Sequence, residues 1–212
     1  THGITVADPD TLLTMSFDIT ESAQGPYTEK YRLYGTSTNM LNMNTLGLLP
    51  TRNYQEGVFE FAHLVSGEYL DEHHKVKVIG CTQCPIGCEQ MSIVKRGPFT
   101  GAMTGVEYEC LQAVSSNLGI GDMTAAIQLV DIADRCGMDA MSMGVTISYA
   151  MECYERGVLV KEDFKCEEAP EGIELNFGNG EGAVILAKMI RNREGIGDIL
   201  AEGTRRASKH LD

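Results

Sequence analysis

From residue 105 to the end of the chain, apolar residues recur at helical spacing, and glycines interrupt the pattern where each helix must stop. Ala140, Met143, Gly144, Ile147, Ala150, Met151 and Tyr154 form one stripe of a helix predicted over residues 139–156 and ended by Gly157. Before it, Asp122 is a good N-cap for a helix running to Arg135 or Cys136, with Gly137 as its C-terminal glycine. Helices over 106–118, 182–193 and 196–210 complete this half. Residues 1–80 give mixed signals: turns at Gln24-Gly25-Pro26, Tyr34-Gly35-Thr36 and Leu49-Pro50-Thr51 separate short helices over 40–46 and 58–70, and 76–79 reads as a short strand. Without the strand–helix alternation of a parallel sheet, the reading is a mainly α, multihelical domain, one domain over residues 1–212.

Charge and composition then exclude partners. A net charge of −13, with no run of Lys and Arg longer than two, gives no electrostatic grip on phosphate backbones, so nucleic acid is not expected. The longest apolar run, residues 182–190, is broken by Lys188 and falls well short of the ~20 residues of a spanning helix, so no membrane partner is expected either. Seven cysteines, an odd number with no leader before Thr1, point to a reducing compartment, the cytoplasm. A start at Thr1 and an end directly after a helix read as a fragment.

The cysteines carry the chemistry. In CTQCPIGCEQ, Cys81, Cys84 and Cys88 stand at C-x2-C-x3-C spacing, with Pro85 and Gly87 turning the chain between them. Thiolates so spaced converge on one soft metal centre. An iron-sulfur cluster and zinc both fit, although zinc sites more often present two C-x2-C pairs. The loop lacks a fourth ligand, and Cys110, Cys136 and Cys153 fall in predicted helices where a cysteine is an ordinary small core residue. The glycine-rich stretch 177–182 lacks a phosphate-loop lysine and reads as a turn and cap, and the adjacent His73 and His74 read as solvated.

A second feature is the junction Asp134-Arg-Cys-Gly137-Met138-Asp139. On a continuous helix, side chains five apart diverge by about 140°. A break at Gly137 lets both carboxylates face one cavity and accept from a ligand edge bearing adjacent N–H donors. The plainer alternative is two solvent-facing charges, Asp139 serving the next helix N-terminus.

Together, the cysteine loop, the segment Gly105-Val-Glu107-Tyr-Glu109, the Asp134–Asp139 junction, the string from Ala150 to Gly157 and the tail from Arg193 to Gly203 resemble the tungsten-dependent aldehyde:ferredoxin oxidoreductases, most strongly over residues 80–211. The resemblance implies the middle domain of a three-domain enzyme, without its N-terminal β-rich and C-terminal helical domains, the latter supplying the fourth cluster cysteine. Such enzymes oxidise small-molecule aldehydes to carboxylic acids at a tungsten (or molybdenum) bis-pyranopterin centre and pass electrons through a [4Fe-4S] cluster to ferredoxin. By that resemblance Cys81, Cys84 and Cys88 ligate the cluster, Asp134 and Asp139, with Gly137 between them, hold one pterin, and Glu107 lies near the metal as the acid/base group. Val106 departs from the proline expected there in many relatives. A homo-oligomer is left open. The alternatives are a related tungstopterin reductase subunit acting on a non-aldehyde substrate, or a non-enzymatic iron-sulfur or zinc-binding module.

Overall fold

The computed structural model describes residue 3 and residues 5–211. Four helices lead the chain: α1 (Pro9–Ala23), α2 (Glu29–Tyr34), α3 (Asn39–Thr45) and α4 (Gly67–His73). An antiparallel sheet follows in the order β1 (Lys75–Ile79), β2 (Glu89–Ile93), β3 (Met103–Val106). Six helices then close the fold: α5 (Tyr108–Val114), α6 (Met123–Cys136), α7 (Ala140–Glu155), α8 (Gly180–Asn192), α9 (Ile196–Leu200) and α10 (Thr204–Leu211). The mainly α reading holds, with this small sheet added.

The core lies where α5, α6, α7 and α8 meet. α6 buries Ala125, Ala126, Ile127, Leu129, Val130, Ile132 and Ala133, the stripe its sequence spacing demands. Each such aliphatic side chain contributes about 1.5–3 kcal/mol by leaving water, so truncating Leu129 to alanine costs about 2–5 kcal/mol. α5 and α7 approach so closely that a Cβ on Gly144 would sit 2.5 Å from the Ala113 carbonyl oxygen. Only glycine fits there, and the contact sets the end of α5 against the first turns of α7. The sheet offers one face to this core: Gln90 opposite Val106, and Ser92 opposite Thr104, are all at most 3% exposed.

Helix ends follow their caps. Asp122 accepts the Thr124 N–H at 2.8 Å and starts α6, and Gly137, at φ 66° and ψ 29°, ends it in the left-handed conformation that a side chain would disfavour.

Several predicted boundaries move. The helix predicted from residue 106 starts at Tyr108, because Met103–Val106 pairs with β2 instead, and Ser115 turns its end into one 3-10 turn. The predicted 58–70 helix is a 3-10 turn, Ala62–Val65, followed by α4, since the Ser66 hydroxyl caps a new helix by accepting the Tyr69 N–H at 3.2 Å. The last helix divides at Gly203, where φ is 82°. α1 was not anticipated from the sequence; its side chains bury nothing, so no core-facing stripe announces it.

Candidate functional site

The three cysteines lie on the connection between β1 and β2. The Cys84 N–H donates to the Cys81 carbonyl at 2.9 Å, and the chain turns again through left-handed Gln83 and Gly87, φ 63° and 64°. At the base of the loop the Gln90 side chain donates to the Cys88 carbonyl at 3.3 Å, and from α1 the Gln24 side chain donates to the Pro85 carbonyl at 2.6 Å. All seven cysteines are free thiols; Cys81 and Cys84 are exposed and Cys88 half-buried. Burial, then the negative charges of Glu107, Cys84 and Cys81, push the Cys88 thiol up. No group of three or more His, Cys, Asp or Glu side chains among the described residues is arranged to hold a metal ion.

Glu107 stands where β3 hands over to α5. It is extended, φ −117° and ψ 160°, occupies the N-cap position, and makes no side-chain cap bond. Half-buried, its carboxyl is raised by burial first, then by Glu109 and Glu89. The Glu89 side chain lies across Gly105, so that a Cβ there would meet its Oε1 at 2.1 Å. One turn into α5, Cys110 is pushed up to about 11 by burial and by the carboxylates of Glu107, Asp134, Glu109 and Asp139. That one thiol thus senses both the Glu107 segment and the α6–α7 junction.

At the junction the two aspartates have different partners. Asp134 accepts from the Thr104 hydroxyl of β3, which ties the end of α6 to the sheet. Asp139 caps α7 by accepting the Ser142 N–H at 2.8 Å, and these Ser142 bonds hold its carboxyl below the usual carboxylate range. Both are exposed. Asp139 borders a cavity of about 230 Å³ together with Met138, Ser142, Thr146, Ile190 and Leu200; Asp134 does not line it. Thr104 and Glu89 are the members of this neighbourhood that sequence reasoning passed over, whereas Cys110 was weighed there and set down as an ordinary core residue. Only Cys110, three residues after Glu107, carries a local signal; the other two arrive through strand pairing.

Residues 17–212 match the family model described as aldehyde ferredoxin oxidoreductase, domains 2 & 3. The chain belongs to the aldehyde ferredoxin oxidoreductase family. Two relatives named tungsten-containing aldehyde ferredoxin oxidoreductase, from Pyrococcus abyssi and Pyrococcus horikoshii, are 41% and 42% identical over 179 residues, 84% of this chain. The chain spans 28% of their length. A Pyrococcus furiosus protein named aliphatic sulfonate oxidoreductase, WOR-like subunit, is 32% identical over 75% of this chain and 24% of its own. The fold is similar to the active-site complex BamBC of benzoyl coenzyme A reductase in complex with 1,5 dienoyl-CoA, with a TM-score of 0.72 at 22% identity, covering 100% of this chain and 32% of that one. The family is one of oxidoreductases, and the relatives at 41% and 42% are named as tungsten-containing. Among its described residues no helix is long and apolar enough to cross a membrane.

Proposed function

We propose that this chain forms the part of a tungsten aldehyde oxidoreductase that holds three cluster cysteines, one pterin-binding junction and the acid/base group. The reaction converts an aldehyde and water into a carboxylic acid, two protons and two electrons. A tungsten bis-pyranopterin, when bound, supplies the two-electron acceptor, and a [4Fe-4S] cluster supplies the route by which electrons leave singly to ferredoxin. The donor types suit both groups, although the three thiols are not gathered to hold a metal ion here and of the two aspartates only Asp139 lines the cavity. Three free thiols on one turn suit an iron-sulfur cluster, with its fourth ligand from elsewhere in the enzyme. Each carboxylate of the Asp134–Asp139 pair has about four lone-pair sites, more than its partners above occupy, so both retain acceptors for a pterin's N–H edge. Gly137 supplies the break that keeps them on adjoining helix ends.

Glu107 is the observation that carries the reading. A glutamate kept only to favour a helix N-terminus would be exposed and bonded to the first turn. Glu107 is instead half-buried, makes no cap bond, and has its carboxyl raised toward the pH at which proton transfer is efficient. Its role is to take the proton released as water adds to the aldehyde. Glu109, two residues on and exposed, has no such environment.

The aldehyde class is preferred because the relatives at 41% and 42% carry that name, while the one named for aliphatic sulfonates is at 32%. The test is Glu107→Gln in the full-length enzyme at unchanged tungsten and iron content. An acid/base role predicts a loss of about 10²–10⁴ in kcat; a loss below about threefold removes Glu107 from the chemistry.

A further inference from the structure

Charge is distributed unevenly in this acidic protein. Residues 73–106, which build the sheet and the cysteine loop, hold four Lys and Arg against the single acid Glu89, a local net of +3 in a chain of −13. Of the four, Lys75 is paired with Asp71. Lys77, Lys95 and Arg96 are exposed, and none of them makes an ion pair among the described residues.

The strand register puts these charges around an apolar surface. Gln90, Ser92, Thr104 and Val106 take the face buried under α6, so the alternate residues take the other: Ile79 opposite Glu89, Lys77 opposite Met91, Met91 opposite Gly105, and Ile93 opposite Met103. The Glu89 carboxylate, the one acid of the region, lies across Gly105 at the cysteine-loop end. This second face is open, with Met103 46% exposed and Met91 and Ile93 half-buried. Lys95 and Arg96 lie on the β2–β3 turn at one end, and the cysteine loop closes the other. Three strands about 4.8 Å apart, two of five residues and one of four, make a patch roughly 10 Å by 17 Å at its longest before the loops are added. That is the scale of a brief electron-transfer encounter, below about 1,200 Å² in total, rather than of a permanent interface.

We propose that this open sheet face, with its apolar Met91, Ile93 and Met103 and its unpaired Lys77, Lys95 and Arg96, is the docking surface for an acidic one-electron iron-sulfur carrier. The proposal rests on the functional reading above, which places an electron-releasing cluster on the adjoining loop. In each encounter the cluster gives up one electron and the carrier is reduced by one, so two carriers leave for each aldehyde oxidised. Positive charge at the rim steers the acidic carrier and sets its orientation, while the apolar centre supplies contact without holding the product. The rest of this chain, by contrast, carries a net negative charge that repels such a carrier: outside residues 73–106 it has 13 Lys and Arg against 29 Asp and Glu.

The experiment uses the full-length enzyme carrying Lys77→Glu, Lys95→Glu and Arg96→Glu, with the corresponding glutamine triple as a milder second variant. Aldehyde oxidation is followed with an acidic [4Fe-4S] ferredoxin and with a neutral quinone, and ferredoxin binding is measured directly. The expected result is a rise of about tenfold or more in the KM for ferredoxin at low ionic strength, smaller in the glutamine triple, with quinone turnover and iron content unchanged. Salt should weaken ferredoxin binding to the unaltered enzyme and flatten in the variants. Ferredoxin binding of unchanged affinity in either folded triple overturns the docking surface, as does strong hydrogen-exchange protection of residues 95–101 in the full-length enzyme alone, which would mean that its other domains cover this face. Failure of the unaltered enzyme to pass electrons from an aldehyde to either acceptor defeats the functional reading instead.

Discussion

At the α6–α7 junction, the groups stranded by the helix break find partners at once. The Met138 N–H donates to the Ala133 carbonyl at 2.9 Å, the Gly137 N–H to the Asp134 carbonyl at 3.2 Å, and the Asp139 carboxylate takes the Ser142 N–H. On the cysteine hairpin the backbone is as well pinned, by Cys84 to Cys81 and by Gln24 and Gln90, yet the side chains that define it face outward: Cys81 and Cys84 are exposed. One region satisfies itself and conceals its chemistry; the other advertises its chemistry and leaves it incomplete. A residue with a structural job can thus hold a functional one as well, and the two are separated only by choosing substitutions that keep the first.

The sharpest contrast is in thiol reactivity. Cys110, beside the junction, is pushed up to about 11, whereas Cys81, Cys84 and Cys136 are open to solvent. Alkylation of the chain at pH 8, resolved by peptide mass, should label the exposed three first and Cys110 about a hundredfold more slowly, since the thiolate is the reactive form. The lag should close as pH approaches 11. Equal rates at pH 8 would mean that Cys110 is not held above its ordinary value by burial and the neighbouring carboxylates.

A smaller effect separates the two jobs of Asp139. Asp139→Ala removes the N-cap and should cost about 0.5–2 kcal/mol in denaturant unfolding, whereas Asp139→Asn keeps the cap and should cost almost nothing. In the full-length enzyme both should lower pterin occupancy, because asparagine loses the charge-assisted bond to the ligand. An asparagine variant with full cofactor content would leave Asp139 as a cap alone.

The smallest effect is in pH. The Asp139 carboxyl is depressed by its Ser142 bonds, so its contribution to stability is present above its ordinary value of 3.8 and is lost as pH falls through the lower folded value. Acid unfolding of the chain should therefore show a weaker dependence below pH 4 in Asp139→Asn than in the unaltered protein. Parallel curves would contradict it.

What the sequence disclosed follows the same division. α6 and α7 were legible almost to the residue, because Asp122, Gly137, Asp139 and Gly157 are local signals that act on the helix they bound. The cysteine loop was legible as a turn, from Pro85 and Gly87, and the strand before it from Val76 to Ile79. β3 went unread and its last residue, Val106, was taken as the start of a helix, since the strand's four residues owe their extended form to pairing with β2, which spacing does not report. For that reason Glu107 was expected inside a helix and stands before one. The same nonlocal pairing brings Thr104 to Asp134 and Glu89 to Glu107, contacts beyond the reach of any local pattern.

The central claim is that Cys81, Cys84 and Cys88 hold an iron-sulfur cluster in a tungstopterin enzyme. Metal and sulfide analysis of the full-length protein, purified without oxygen, beside its Cys84→Ser variant, tests it most directly. The account predicts about four iron and four sulfide per chain with tungsten present, and loss of the iron and sulfide in the variant. One zinc per chain with no sulfide, or a full iron complement in Cys84→Ser, would contradict it.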